Sequence, residues 1–285
     1  MKKIFLLFCT LIFNPMYGQD AAAFRSSFDA LSHISASANL QQTIGVTKIT
    51  IEYYRPNARD REIWGTVVPY DKVWRAGANI ATTIEVSDNV LINGKPLKAG
   101  KYALFVLPGK KEWTFIFDEN SFQFGAFFYQ GSTDALRVSV PTVKRNNKTE
   151  SLLYYFDHVS YNKGELNLAW GDRSATLSIE TSEDAIIAAV TDKIKDAEEN
   201  NNHRAYIDAS AWALDHKKMV DKIPAWLKAS RDIKDTFGNN FLEARLHALN
   251  GDYDLAIKAA NTTAEKFPQF TVVTESFIAR WQKEL

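Results

Sequence analysis

Within residues 47–54, "TKITIEYY", polar and apolar side chains alternate from Lys48 to Tyr53. In an extended chain, neighbouring side chains point to opposite faces. Ile49, Ile51 and Tyr53 therefore share one face, and Lys48, Thr50 and Glu52 the other. Such a pattern predicts a half-buried β-strand. Further short apolar runs follow: "TTIEV" (82–86), "NVLI" (89–92), "KYALFVL" (101–107), "EWTFIF" (112–117), "LRVSV" (136–140), "SLLYYFDHVS" (151–160), "ELNLAW" (165–170) and "SATLSIE" (174–180). Gly, Pro, Asn or Asp bounds each of them. Asn93-Gly94 reads as a tight hairpin turn, Asn162-Lys163-Gly164 as another turn, and the polar "PTVKRNNKTE" (141–150) as an exposed one. About nine short strands with no helix between them predict an antiparallel sandwich of jelly-roll type.

After Ser182 the period changes. "SEDAIIAAVTDKIKDAEEN" opens with a capping signal and carries Ile186, Val190 and Ile194 at intervals of four. Further helices are predicted near 203–216, 223–232, 240–250, 253–267 and 271–283. The fold class is thus α+β in segregated halves: a β-sandwich over residues 19–180, then all-α hairpins over 181–285. In "FLEARLHALNGDYDLAIKAANTTAEKFP", Ala244, Gly251, Asp252, Tyr253, Ala256, Ile257 and Pro268 occupy the small, turn, packing and terminal-proline places of a tetratricopeptide-like unit.

At the start, Lys2 and Lys3 precede an apolar run from Ile4 to Phe13, and Asn14-Pro15 breaks it. That order reads as a signal peptide cleaved after Gly18, too short to span a bilayer. Cys9, the only cysteine, lies within it. The expected product is exported, periplasmic or secreted, and free of thiols and disulfides. Formal net charge is zero, which argues against nucleic acid or an anionic membrane surface as partner. No later apolar stretch reaches membrane-spanning length.

Between the first strand and "TTIEV" lies a long irregular segment ending in "VWRAGANI" (73–80). Together with Arg55-Pro56, Pro69-Tyr70 and "AGKY" (99–102), in that order, it carries a specific likeness. Residues 35–140 resemble the exported bacterial family known as domain of unknown function 2911. That resemblance implies no established activity. Members of this look often carry tetratricopeptide-like helices after the β domain.

Two readings of "VWRAGAN" follow from chemistry. If Arg55, Arg75 and Arg137 converge, their guanidinium forks suit a carboxylate, sulfate or phosphate. Trp74 would then offer a flat face to a sugar or ring, and Asn79 a donor and an acceptor. Alternatively these arginines pair with Glu52, Glu85 or Asp134 and clamp the long loop to the sandwich. The clamp is the preferred reading. "SFQFGAFFYQG" (121–131) reads as a core-filling crossover, with Tyr129 alone added to the ligand-binding candidates.

Metal ligation is not expected, because His33, His158, His203, His216 and His247 are scattered. "GKPLKAGK" fails as a phosphate loop, having the wrong spacing and a strand after it. No cofactor and no nucleophile motif is indicated. The chain is therefore expected to be a non-catalytic binding protein for a small anionic or glycan ligand, with a helical tail that docks protein. The alternative is a hydrolase acting on a carbohydrate or anionic substrate, positioned by Arg55, Arg75 and Asn79 with Asp134 as general base.

Overall fold

The computed structural model describes residues 34–285. The leader, its cleavage point, Cys9 and His33 lie outside the described residues. Contacts divide the chain into two units, one ending at Glu183 and one running from Asp184 to Leu285.

Nine strands form the first unit: β1 (Ala36–Ile44), β2 (Thr47–Arg55), β3 (Thr83–Val86), β4 (Val90–Ile92), β5 (Lys95–Leu97), β6 (Gly100–Pro108), β7 (Glu112–Asp118), β8 (Asp134–Asp157) and β9 (Lys163–Thr181). They make one sheet in the order β1-β2-β3-β6-β7-β8-β9-β4-β5, with every ladder antiparallel. Ile49, Ile51 and Tyr53 are buried in the main core, as their alternation requires. Asn93 and Gly94 both take positive φ, the geometry that a two-residue β4–β5 turn needs to match strand twist.

The polar segment 141–150 is not a turn. β8 runs straight through it and changes partner there. Up to Pro141 it pairs with β7, and from Thr142 it pairs with β9. Register shifts between Lys144 and Leu153 mark bulges in β8, the usual device for turning a strand from one sheet into another. Bulged, largely exposed backbone tolerates polar side chains, so the sequence resembles a loop while the backbone stays extended. The main core draws Ile84, Leu104, Val106 and Phe115 from one half of the sheet. From the other it draws Leu152, Leu168, Leu177 and Ile179. The two halves therefore face each other as a sandwich.

The long segment between β2 and β3 also reaches this core. Trp64 and Trp74 from the loop meet Trp113 of β7 and Trp170 of β9. Ring centroids lie 4.2 Å apart for Trp64–Trp113 and 5.9 Å for the stacked Trp74–Trp170 pair. The Trp64 indole N–H donates to the Trp170 carbonyl at 3.0 Å. The fastening that sequence assigns to arginines is made by two tryptophans.

Six helices make the second unit: α1 (Glu183–Asn200), α2 (His203–His216), α3 (Ile223–Ile233), α4 (Phe237–Leu249), α5 (Tyr253–Lys266) and α6 (Thr271–Trp281). α4 starts three residues before the predicted point, because Thr236 and Asn239 form a reciprocal capping box. Ala244, Ala256 and Ala260 are fully buried where α4 and α5 pack together. Small side chains there let the backbones approach, consistent with the tetratricopeptide-like pattern. No helix among the described residues is long and apolar enough to cross a membrane.

Candidate functional site

β6 and β7 are buried on both faces. Leu104, Val106, Phe115 and Phe117 point into the main core, while Ala103, Phe105 and Ile116 form a second, smaller cluster on the other side. Two loop segments cover that outer face. Val73 and Ala81 come from the first, and Ala126 and Tyr129 from the second. The segments are tied together where the Ala81 amide donates to the Gln123 carbonyl at 2.9 Å.

The first segment is "WRAGAN", and its backbone is held from several directions. Trp74 exchanges two backbone hydrogen bonds with Val106, both 2.8 Å. The Trp74 indole donates to the Gly77 carbonyl at 3.1 Å. Thr82 and Tyr154 hydroxyls both donate to the Ala76 carbonyl at 3.0 Å. Burial keeps the Tyr154 phenol protonated well above its usual range. Gly77 is needed for close approach: a Cβ there would lie 2.8 Å from Thr82 Oγ1 and 3.2 Å from the Tyr54 carbonyl. Gly77→Ala is therefore expected to displace the loop and cost about 1–3 kcal/mol. A denaturant melt checks this, and an unchanged midpoint would show that the loop has slack.

Beside this loop opens a cleft of about 310 Å³, lined by Val67, Pro69, Lys72, Val73, Trp74, Arg75, Ala126 and Phe127. Phe127 is 79% exposed at its rim and packs over Gly125. Phe124 and Phe128 are also exposed. The 121–131 segment is thus not the core-filling crossover that its phenylalanines suggest. Of its aromatic residues none is fully buried, and only Phe122 and Tyr129 are partly so, because the segment covers the sheet from outside and turns tightly at Gly125, whose φ is positive.

Arg75 is partly buried in the cleft wall, and desolvation lowers its pKa. Its Nε is sealed from solvent with no hydrogen-bond partner, and no ion pair to the guanidinium occurs among the described residues. Of the expected arginine–acid pairs Arg137–Asp134 forms, within β8 and away from the loop, and no acid clamps Arg75 among the described residues. Glu52 accepts from Lys101 at 2.6 Å on the neighbouring face of β2 and β6. Asp134 holds Arg137 at 2.6 Å. Asn79, in left-handed conformation three residues before the end of the loop, likewise has a sealed Nδ2 without a partner.

The other candidates are not among the walls of the cleft. Arg55 Nε donates to the Leu152 carbonyl at 3.0 Å. Leu152 belongs to β8, so Arg55 ties the end of β2 to the facing half of the sandwich. Tyr129 and Arg137 form a closed triad with Asp134. The phenol donates to Asp134 Oδ2 at 2.8 Å, and Arg137 donates to both. Burial, then the Asp134 carboxylate, pushes the Tyr129 phenol up to about 12. Arg55, Arg75 and Arg137 thus each have separate surroundings, and Asp134 does not face Arg75 across the cleft.

Sequence reasoning missed Lys72, Val67, Pro69 and Phe127, which line the cleft from loops without periodicity. It also missed Asp118, which reads only as the polar end of "EWTFIF". Asp118 is 1% exposed and lies opposite Asp134 in the β7–β8 register.

The fold and the cleft belong to a recognised family. The family described as "Protein of unknown function (DUF2911)" matches residues 35–179, just over half of the chain, and the chain belongs to it. The match extends beyond Val140, through the crossing of β8 into the second half of the sheet, and so takes in the whole sandwich. No curated protein and no solved structure matches the chain.

Proposed function

We propose that this chain is an exported, non-catalytic binding protein whose β-sandwich holds a small anionic ligand at Arg75. One observation carries the reading: Arg75, partly desolvated, lines an open cleft, and among the described residues no acid pairs with it. Burying a cation without a partner is unfavourable. A bound anion would supply the missing partner with a charge-assisted, bidentate contact. The surrounding loop is held by backbone hydrogen bonds from β2, β6 and β8, so little ordering would be needed on binding. The helical unit, through its tetratricopeptide-like hairpin, would serve as a protein-docking tail.

The test is a melting series on the mature chain with sulfate, phosphate, acetate and benzoate as probe anions. A ligand at a hundred times its Kd stabilises by about 2.7 kcal/mol. At least one anion is expected to raise the wild-type midpoint and to have no such effect on Arg75→Met. If none does, the reading falls. Arg75→Met keeps the apolar stem and removes the charge, so without ligand it is expected to stay within about 1 kcal/mol of wild type or above it. A loss of about 2–4 kcal/mol would mean that an acid partners Arg75 after all. Export predicts that the chain recovered outside the cytoplasm begins at Gln19, which intact mass checks.

A further inference from the structure

The walls of the Arg75 cleft are divided sharply by chemistry. Val67, Pro69, Val73, Trp74, Ala126 and Phe127 are apolar, and the two remaining wall residues, Lys72 and Arg75, are both cations. Among the described residues, no carboxylate, hydroxyl or amide side chain lines the space. A sugar needs donors and acceptors for each hydroxyl, and leaving them unpaired against hydrocarbon is strongly disfavoured. A bare inorganic anion would satisfy the guanidinium but would set its remaining oxygens against Phe127 and Val67. A ligand with one anionic end and an apolar body suits both kinds of wall.

We propose that the cleft takes a small amphipathic carboxylate, its head on Arg75 and its hydrocarbon body against Val67, Val73 and Phe127. This rests on the reading of Arg75 as an anion anchor and narrows it to one ligand class. Size agrees with it. A volume of 310 Å³ lies at the small end of ligand pockets. The Phe127 ring explains its own exposure here, since a large apolar side chain left 79% open at a cleft rim gains a partner when the body of the acid lies on it. Lys72 adds a second positive charge at the same wall and favours the anion over its neutral analogue.

The experiment is calorimetric titration of the mature chain with decanoate and 4-phenylbutanoate, set against decanol, acetate, phosphate and glucose. Decanoate is expected to bind at least tenfold more tightly than either acetate or decanol. Arg75→Met is expected to lose at least tenfold for decanoate and to leave decanol unchanged. Phe127→Ala is expected to weaken decanoate several-fold and acetate not at all. If acetate or phosphate binds in an Arg75-dependent way and decanoate binds no better, the ligand class is wrong and the anion site survives. If decanol matches decanoate in both wild type and Arg75→Met, the guanidinium recognises nothing, and both the class and the anchor fall. Glucose binding that Arg75→Met abolishes would replace the acid by a glycan. Melts of each variant establish that it is folded before titration.

Discussion

Trp64→Ala is expected to lower the stability of the β unit by about 3–5 kcal/mol, the range for removing a large aromatic side chain from a packed core. Trp64 is 4% exposed although it lies in an irregular segment, and its ring contacts Trp74, Trp113 and Trp170. Removing it leaves a cavity between the two halves of the sheet and a Trp170 carbonyl without its donor. A domain is stable by only about 5–15 kcal/mol, so this one side chain carries a large share. Trp64→Phe keeps most of the ring area and is expected to lose less than half as much. Urea unfolding measures both. The position also separates two views of the long loop. If arginine pairs hold it, Trp64→Ala will cost little and Arg75→Met much; the tryptophan contacts predict the reverse order. A loss under about 1 kcal/mol for Trp64→Ala would mean that the segment is held elsewhere.

What the sequence disclosed follows from where its side chains repeat. Alternation at Ile49, Ile51 and Tyr53 and the spacing of Ile186, Val190 and Ile194 are local signals. Strands and helices were legible from them, as was the Asn93-Gly94 turn. β1 was missed because "ASANLQQTI" has mostly small or polar residues, and its side chains are largely exposed or only partly buried. It pairs with β2 along nine residues through backbone bonds that leave no trace in side-chain pattern. The continuity of β8 was hidden for a similar reason: its crossing segment is bulged and wet. The site was half legible. Trp74 and Arg75 stood out as an unusual pair, and both line the cleft. The opposite wall, Ala126 and Phe127, lies some fifty residues away and meets them only through the layering of two loops on one sheet face. Whether Arg75 has an acid depends on strand placement as well. Glu52 was a reasonable partner until the order β2-β3-β6 brought Lys101 to it.

Asp118 offers the second large effect, and its sign follows from its surroundings. The carboxylate accepts from the Asn120 amide at 2.9 Å, from Gln123 Nε2 at 3.1 Å and from the Thr133 hydroxyl at 3.0 Å. Burial foremost, with the facing Asp134 carboxyl adding to it, raises its pKa, while the Thr133 and Asn120 bonds oppose that rise. Arg137 and Tyr129 bind the other side of Asp134, and β6 presents only Ala103 opposite Asp118. In the folded chain Asp118 therefore holds its proton to a higher pH than in the unfolded chain. Its contribution is fully present below the usual carboxylate range and is lost as pH rises through the raised value. Asp118→Asn removes that titration, keeps an oxygen for the three donors and offers an N–H to Asp134 Oδ1, which otherwise has no partner. The stability of Asp118→Asn relative to wild type should rise with pH and then level off. Asp118→Ala is a different experiment. It strands buried donors on Asn120, Gln123 and Thr133, at about 1–3 kcal/mol each before relaxation, and should cost about 3–5 kcal/mol below the usual carboxylate range and less as pH rises. Urea midpoints at several pH values for the three proteins decide it, and a flat difference between Asp118→Asn and wild type would place the titration elsewhere. All three donors belong to the 119–133 segment that carries Ala126 and Phe127. Loosening it through Asp118→Ala should therefore weaken decanoate binding at a cleft whose walls do not include Asp118, whereas Asp118→Asn should leave that binding intact.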